Sequence, residues 1–257
     1  MSKLFDTNSN ISIVIPCYNE EKRLPLSEFE AFLSKDSKTT LCFVNDGSSD
    51  NTQEVLLKLK NEFKNVEIVS YKDNVGKAEA VRKGILYCNE TFDHNSIAYL
   101  DADLATSLEE CVELSSYLNS DINFVFGSRI MKIGSVIVRN HYRFLIGRII
   151  ATFISRMLKL KVYDTQCGCK IFTKSLSETI FRDPFISKWL FDVEIFQRII
   201  LLYGRQQVLN KMIEIPLKRW IDKDGSKVKI SYFFKMLMDL YLINKRYKTK
   251  ETALNKY

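Results

Sequence analysis

The chain has 257 residues, 38 Lys+Arg against 31 Asp+Glu, a net charge of +7 and a pI near 9.0. Hydrophobic residues at 46% and charged residues at 27% are ordinary globular usage and exclude wholesale disorder; the length suits one large α/β domain or two small ones. Six scattered cysteines exclude a disulfide framework, and nothing matches a signal peptide or the roughly 20 apolar residues of a membrane span.

Ile11-Ser-Ile-Val-Ile15 is a β-branched run closed by Pro16 and reads as a buried strand. A helix is predicted from about Leu24 to Ser34, with Pro25 in its first turn. Leu41-Cys-Phe-Val44 is a second strand ending in Asn45-Asp-Gly-Ser-Ser-Asp50, where Gly47 marks a turn. Ser49 or Asp50 can cap the following helix, which carries Val55, Leu56, Leu59 and Phe63. A third strand at Val66–Val69, a helix at Lys77–Cys88, a fourth strand at Ile97–Leu100, a helix over 107–118 and a strand at Phe124–Phe126 continue the alternation. Such alternation implies an α/β fold with a mainly parallel central sheet and helices on both faces. Ligands bind such sheets at the carboxyl ends of the strands, where Asn19-Glu20, Asp46 and Asp101/Asp103 all fall.

Beyond Gly127 the rhythm changes. Residues 136–160 are apolar but punctuated by Arg139, Arg143, Arg148, Arg156 and Lys159. On one continuous helix Arg139 and Arg143 share a side, with the other three gathered roughly opposite. A second apolar helix is predicted over about Ile230–Tyr247. Residues 1–128 carry a net −9 and residues 129–257 a net +16, so the basic half suits nucleic acid, a membrane surface or a phosphorylated substrate. No linker or repeat interrupts the chain, which reads as a single domain over 1–257 with halves at about 10–128 and 129–248.

Asp101-Ala102-Asp103 follows an apolar strand, and in extended chain residues two apart point to one side. Both carboxylates can then face one Mg²⁺ or Mn²⁺, which takes one or two carboxylates plus phosphate oxygens. Asp222-Lys-Asp224 repeats the pattern inside a turn and reads as a solvated loop. Asp46 can accept the ring N–H of a uracil or simply cap the turn after it. In Asn74-Val-Gly-Lys77, Gly76 permits close backbone approach and Lys77 supplies a cation, but neither a P-loop nor a dinucleotide fingerprint is present. Cys167-Gly-Cys169 lacks the ligands for zinc and reads as packing, as do Cys17, Cys42, Cys88 and Cys111.

Taken together, Ile13-Val-Ile-Pro-Cys-Tyr-Asn-Glu-Glu21, Val44-Asn-Asp-Gly-Ser-Ser-Asp-Asn-Thr52, Asn74-Val-Gly-Lys77 and Leu100-Asp-Ala-Asp103 resemble family 2 glycosyltransferases of the GT-A fold. Gly127-Ser-Arg129, Asp164-Thr-Gln-Cys-Gly168 with Lys170-Ile-Phe172, Trp189-Leu-Phe-Asp-Val-Glu194 and Gly225-Ser-Lys227 are similar to the dolichyl-phosphate β-glucosyltransferase and polyprenyl-phosphate-sugar synthase branch. Asn45 departs from a common second Asp, and Cys169 from a common aromatic.

The resemblance implies an inverting, metal-dependent transfer of a hexose, glucose as first guess, from a UDP-sugar to a polyprenyl or dolichyl phosphate. Pro16, Tyr18, Glu20, Asp46, Gly76 and Lys77 would bind the nucleotide, and Asp101 and Asp103 the metal and diphosphate. Ser226 and Lys227 would close over that diphosphate. Arg129 with Arg139 or Arg143 would hold the acceptor phosphate, unless those helix arginines are a solvated face. Asp192 and Glu194 would face the sugar, with Asp103, Arg129 and Asp192 the catalytic candidates. A saccharide hydroxyl as acceptor would instead need a base, for which Asp192 is the candidate. A non-catalytic nucleotide-sugar-binding protein is the remaining reading, and the acidic cluster argues against it. No nucleic-acid module pattern appears.

Dolichol-linked members of the family carry an N-terminal anchor, whereas the first strand here begins about ten residues in. Lipid access would run through helices 136–160 and 230–248, whose other reading is core or dimer packing. The expected place is the cytoplasm, at the inner face of the membrane.

Overall fold

The computed structural model describes residues 10–222 and 230–254. The acidic half alternates as its periodicity implies: β1 (Ile11–Cys17), α1 (Leu26–Leu33), β2 (Thr40–Asp46), α2 (Thr52–Glu62), β3 (Val66–Tyr71), α3 (Lys77–Thr91), β4 (Ser96–Leu100), α4 (Leu108–Ser115) and β5 (Phe124–Ser128). The basic half is less regular: β6 (Val136–Val138), α5 (His141–Leu158), β7 (Cys169–Thr173), α6 (Lys174–Ile180), α7 (Phe191–Gln207), β8 (Met212–Pro216), β9 (Arg219–Ile221) and α8 (Ile230–Leu254).

Seven strands form one sheet in the order β3-β2-β1-β4-β7-β5-β8, while β6 and β9 pair in a small parallel sheet of their own. β3, β2, β1 and β4 run parallel, as do β5 and β8. β7 enters antiparallel between β4 and β5, the one reversal in a mainly parallel sheet. Side-chain alternation divides the core between the two faces. Val14, Ile97, Tyr99, Phe124, Phe126 and Phe172 pack on one side under α3, α6 and α7. Ile13, Ile15, Ala98, Leu100, Val125 and Ile171 pack on the other under α1, α2 and α4.

Two departures matter. Residues 136–160 are not one helix. The β-branched run Val136–Val138 pairs with β9, and Asn140 caps α5 by accepting the Tyr142 amide at 3.0 Å, so Arg139 lies before the helix. β7 was not anticipated, because Lys170 interrupts its apolar run; it is nevertheless central, and Lys170 is fully buried in it. All six cysteines are free and buried. Among the described residues, no helix is long and apolar enough to cross a membrane.

Candidate active site

The carboxyl ends of β1, β2 and β3 are stitched together by side-chain to backbone bonds. Ser48 accepts the Asn19 amide at 3.0 Å, Thr52 the Glu20 amide at 2.8 Å and Asp50 the Glu21 amide at 3.2 Å. Gly47, at φ +67°, brings the β2 loop so close to Asn74 that a Cβ would lie 2.6 Å from its backbone nitrogen. Asp46 is buried at this junction. Its two carboxylate oxygens accept the Val75 and Gly76 amides, each at 2.8 Å, which shapes the loop leading to Lys77. The cap that Asp46 supplies is thus to the β3–α3 loop rather than to its own turn. Pro16 is half-buried and Tyr18 exposed at the end of β1, beside this junction.

Acidic groups gather next to it. Lys77, the first residue of α3, meets Asp101 at 2.5 Å. Burial opposes the Lys77 charge, but Asp101 and Asp192 outweigh it and raise its pKa. Asp101 and Asp103 do not project from an extended strand. Leu104, at φ +49°, closes a turn in which its amide bonds the Asp101 carbonyl at 3.1 Å, and Asp103 accepts the Ala105 amide at 3.0 Å. The carboxylates stay close all the same: burial and then Asp101 push the Asp103 pKa up. Burial also raises Glu20, with Asp103, Asp50 and Asp101 adding to it against Arg23. Glu20 Oε2 is buried without a hydrogen bond, Arg23 Nε standing 3.6 Å away.

Among the described residues no three His, Cys, Asp or Glu side chains gather closely enough to cage a cation. The excess negative charge on Glu20, Asp101 and Asp103 is what a divalent cation bound partly by phosphate oxygens would offset, so this donor set fits one. Gly168 completes the wall. Its carbonyl accepts the Asp101 amide at 3.1 Å, and any Cβ there would overlap the Asp101 carboxylate.

The basic side is built from side chains. Arg129, at the end of β5, grips the buried Asp164 with Nε at 2.6 Å and Nη2 at 2.9 Å, and lies over the Trp220 ring. Burial opposes each charge, but Arg129 brings the Asp164 pKa down to about 2 and Asp164 holds that of Arg129 above its ordinary value. Asp101 is close enough to act on Arg129 as well, so this cluster adjoins the acidic crevice. Glu214 supports the pair by accepting the Tyr163 and Asp164 amides at 2.9 and 2.8 Å. Arg139 lies over the Phe144 ring and hydrogen-bonds Tyr163, while its Nε and Nη2 are buried without a partner; burial, with nearby Arg129, lowers its pKa against the pull of Tyr163. Arg148 is not on a solvated face: it stacks on Tyr163 at 3.6 Å and bonds its carbonyl at 2.7 Å. The Arg143 side chain, Asp224, Ser226 and Lys227 lie outside what the structure describes.

Asp192 stands in the first turn of α7, where Lys170 Nζ meets its Oδ1 at 2.7 Å and the Tyr99 hydroxyl donates to the same oxygen. Glu194 does not face the crevice. It is fully buried and accepts from the Ile186 amide, Arg198 and Tyr247 at 2.8, 3.0 and 2.7 Å, tying α7 to α8. Asp164 and Lys170 belong to the motif quoted for the resemblance, which gives them no role, and Tyr99 and Glu214 stand outside every motif read from the sequence. The further signal for Lys170 is a lysine set between apolar neighbours; nothing local marks Tyr99 or Glu214.

Residues 12–181 match the model of the family described as "Glycosyl transferase family 2". A dolichyl-phosphate β-glucosyltransferase of Trichomonas vaginalis is 33% identical over 93% of this chain and 75% of its own length. The enzyme of the same name from Homo sapiens is 32% identical over 93% and 76%. Among solved structures, mannosyl-3-phosphoglycerate synthase from Rubrobacter xylanophilus superposes with a TM-score of 0.69 at 15% identity, over 95% of this chain and 75% of that one. Glucosyl-3-phosphoglycerate synthase from Mycobacterium tuberculosis, in complex with Mn²⁺, UDP-glucose and phosphoglyceric acid, does so with 0.66 at 14%, over 93% and 80%. These two structural likenesses bear on the fold.

Proposed function

The chain belongs to glycosyl transferase family 2, and from that premise we propose that it moves glucose, with inversion, from UDP-glucose to a polyprenyl or dolichyl phosphate. The donor and acceptor classes follow the names of relatives about a third identical over most of the chain. The observation that carries the reading within the molecule is the arginine cluster beside the acidic crevice. Arg129 is anchored on Asp164, and Arg139 keeps two buried donors unpartnered.

A phosphate monoester has a second pKa of about 6 and is already ionised near neutrality. It needs positioning and charge neutralisation more than proton removal, and guanidinium donors match its oxygens. Arg129 and Arg139 would orient one phosphate oxygen toward the anomeric carbon, opposite the departing nucleoside diphosphate. Lys77 would offset charge on that leaving group, and Asp46 would set the loop beside the nucleotide. Asp101 and Asp103 would hold Mg²⁺ or Mn²⁺, which when bound supplies Lewis-acid stabilisation of the leaving diphosphate.

The protein works at the cytoplasmic face of a membrane in this reading. Support comes from α5, which exposes Tyr142, Leu145, Ile149 and Phe153 along one side while the adjoining segment exposes Ile133. An apolar stripe in a basic half suits an anionic bilayer surface.

UDP release from UDP-glucose, measured with either metal and with or without a short polyprenyl phosphate, tests the proposal. Release that depends on the lipid phosphate is expected. Release that depends instead on a saccharide would sink it and return Asp192 to the role of base.

A further inference from the structure

Among the described residues Lys170 is, with Glu194, one of two fully buried charged side chains, and it sits in the middle of β7. A lysine is placed there only where its charge is matched, because burying an unpaired ammonium is strongly unfavourable. Two fixed oxygens hold its ammonium. The Cys167 carbonyl lies at 2.6 Å and Asp192 Oδ1 at 2.7 Å, while the ammonium stands 5.5 Å from the centre of the Tyr99 ring. The Tyr99 hydroxyl donates to that same Oδ1, and burial together with Asp192 holds the phenol protonated.

Asp192 is therefore gripped from beneath by two donors, one from β7 and one from β4. Both converge on Oδ1. Its Oδ2 takes no hydrogen bond among the described residues, and the side chain keeps 8% of its surface exposed. The carboxylate also lies close enough to Lys77 to act with Asp101 on its charge, which puts it at the donor crevice. A carboxylate in the first turn of a helix, held by a buried cation, is oriented before any ligand arrives.

We infer that Lys170 is a positioning residue for the transfer, one that acts through Asp192 by turning Oδ2 toward a hydroxyl of the donor sugar. This rests on the nucleotide-sugar reading of the crevice but not on the identity of the acceptor. The sugar would be recognised by a preset acceptor oxygen, and Lys170 would contribute to donor selection without touching it.

Binding of UDP and of UDP-glucose to the wild type, Asp192→Asn, Lys170→Met and the double variant, measured by calorimetry, tests this. Loss of UDP-glucose affinity of about tenfold, with UDP affinity held within about threefold, is expected for Asp192→Asn and Lys170→Met. The double variant should lose no more than Asp192→Asn alone, because the two residues form one device. Lys170→Met leaves a carboxylate without its cation and is prone to misfolding. The double variant removes both charges, so it and Asp192→Asn keep the test intact. Equal loss of both ligands would mark Lys170 as merely structural, and additive losses would show that it does not act through Asp192; either overturns the inference. A wild type that binds neither UDP nor UDP-glucose would instead overturn the donor reading, and this inference with it.

Discussion

The acidic and basic sides of the crevice, proposed above as the donor and acceptor sides, are built differently. On the donor side, backbone amides hold the carboxylates: Asp46 accepts two, Asp103 one, and the Asp101 amide is itself held by Gly168. On the basic side guanidinium groups are added to such contacts: Arg129 forks on Asp164 and Arg148 stacks on Tyr163, while Glu214 and Asp164 accept the amides of Tyr163, Asp164 and Gln166. Each side keeps one charged group short of partners, Glu20 on the first and Arg139 on the second. Parallel strands end in loops that bring many amides together, so a donor site there can be made of main chain. In the irregular basic half the amides are held by Glu214 and Asp164, and guanidinium geometry supplies the charge. The donor side should therefore tolerate loss of a carboxylate structurally while losing activity, whereas the acceptor side should lose stability when an anchoring pair is split.

The largest effect is expected from Asp103→Asn. Turnover should fall by about a thousandfold or more, the scale of removing a group that stabilises transition-state charge. The thermal midpoint should hold or rise, because crowding with Asp101 and Glu20 is relieved. Steady-state kinetics beside thermal melts would show it, and surviving activity would refute the metal assignment. Next comes Arg129→Met, which strands a buried Asp164 and should cost about 3–5 kcal/mol of stability in denaturant unfolding. The Arg129→Met/Asp164→Asn double variant should recover much of that stability but not acceptor use.

Arg139→Met should divide the two sides most cleanly. The KM for acceptor should rise about ten- to a hundredfold, with stability altered by about 1–2 kcal/mol, since Nε and Nη2 make no bond to lose and only the Tyr163 hydrogen bond and the Phe144 ring contact go. A rise in donor KM instead would move Arg139 out of the acceptor site. The smallest effect lies away from the crevice. His94 is buried between Ser12 and Asn89, and burial followed by Lys174 brings its pKa down to about 4. The unfolded chain binds a proton there that the native state refuses, so stability is full above about pH 6.5 and falls as pH drops toward 4. Unfolding free energies across that window should show the slope, and His94→Gln should flatten it.

The acidic half was legible because its strands are apolar runs closed by turn residues, and its candidate site carboxylates lie within four residues of strand ends. The turn that brings Asp101 and Asp103 together was not. Left-handed backbone at Leu104 leaves no compositional mark, and an extended segment would have explained the same two residues. In the basic half, periodicity overran a boundary. Val136–Val138 looked like the start of a helix until its partner at Arg219–Ile221 made it a strand, and that pairing spans more than 80 residues. The partners of Arg129, Asp192 and Glu194 were invisible for the same reason. Asp164, Lys170 and Tyr247 are remote in sequence, and only the fold brings them into contact.

Phosphorus-31 NMR of the product bears most directly on the central claim. With UDP-glucose, a divalent cation and a short polyprenyl phosphate, the monoester resonance should be replaced by that of a phosphodiester as UDP appears. A monoester resonance that persists while UDP accumulates and glucose is joined to a sugar hydroxyl would contradict it.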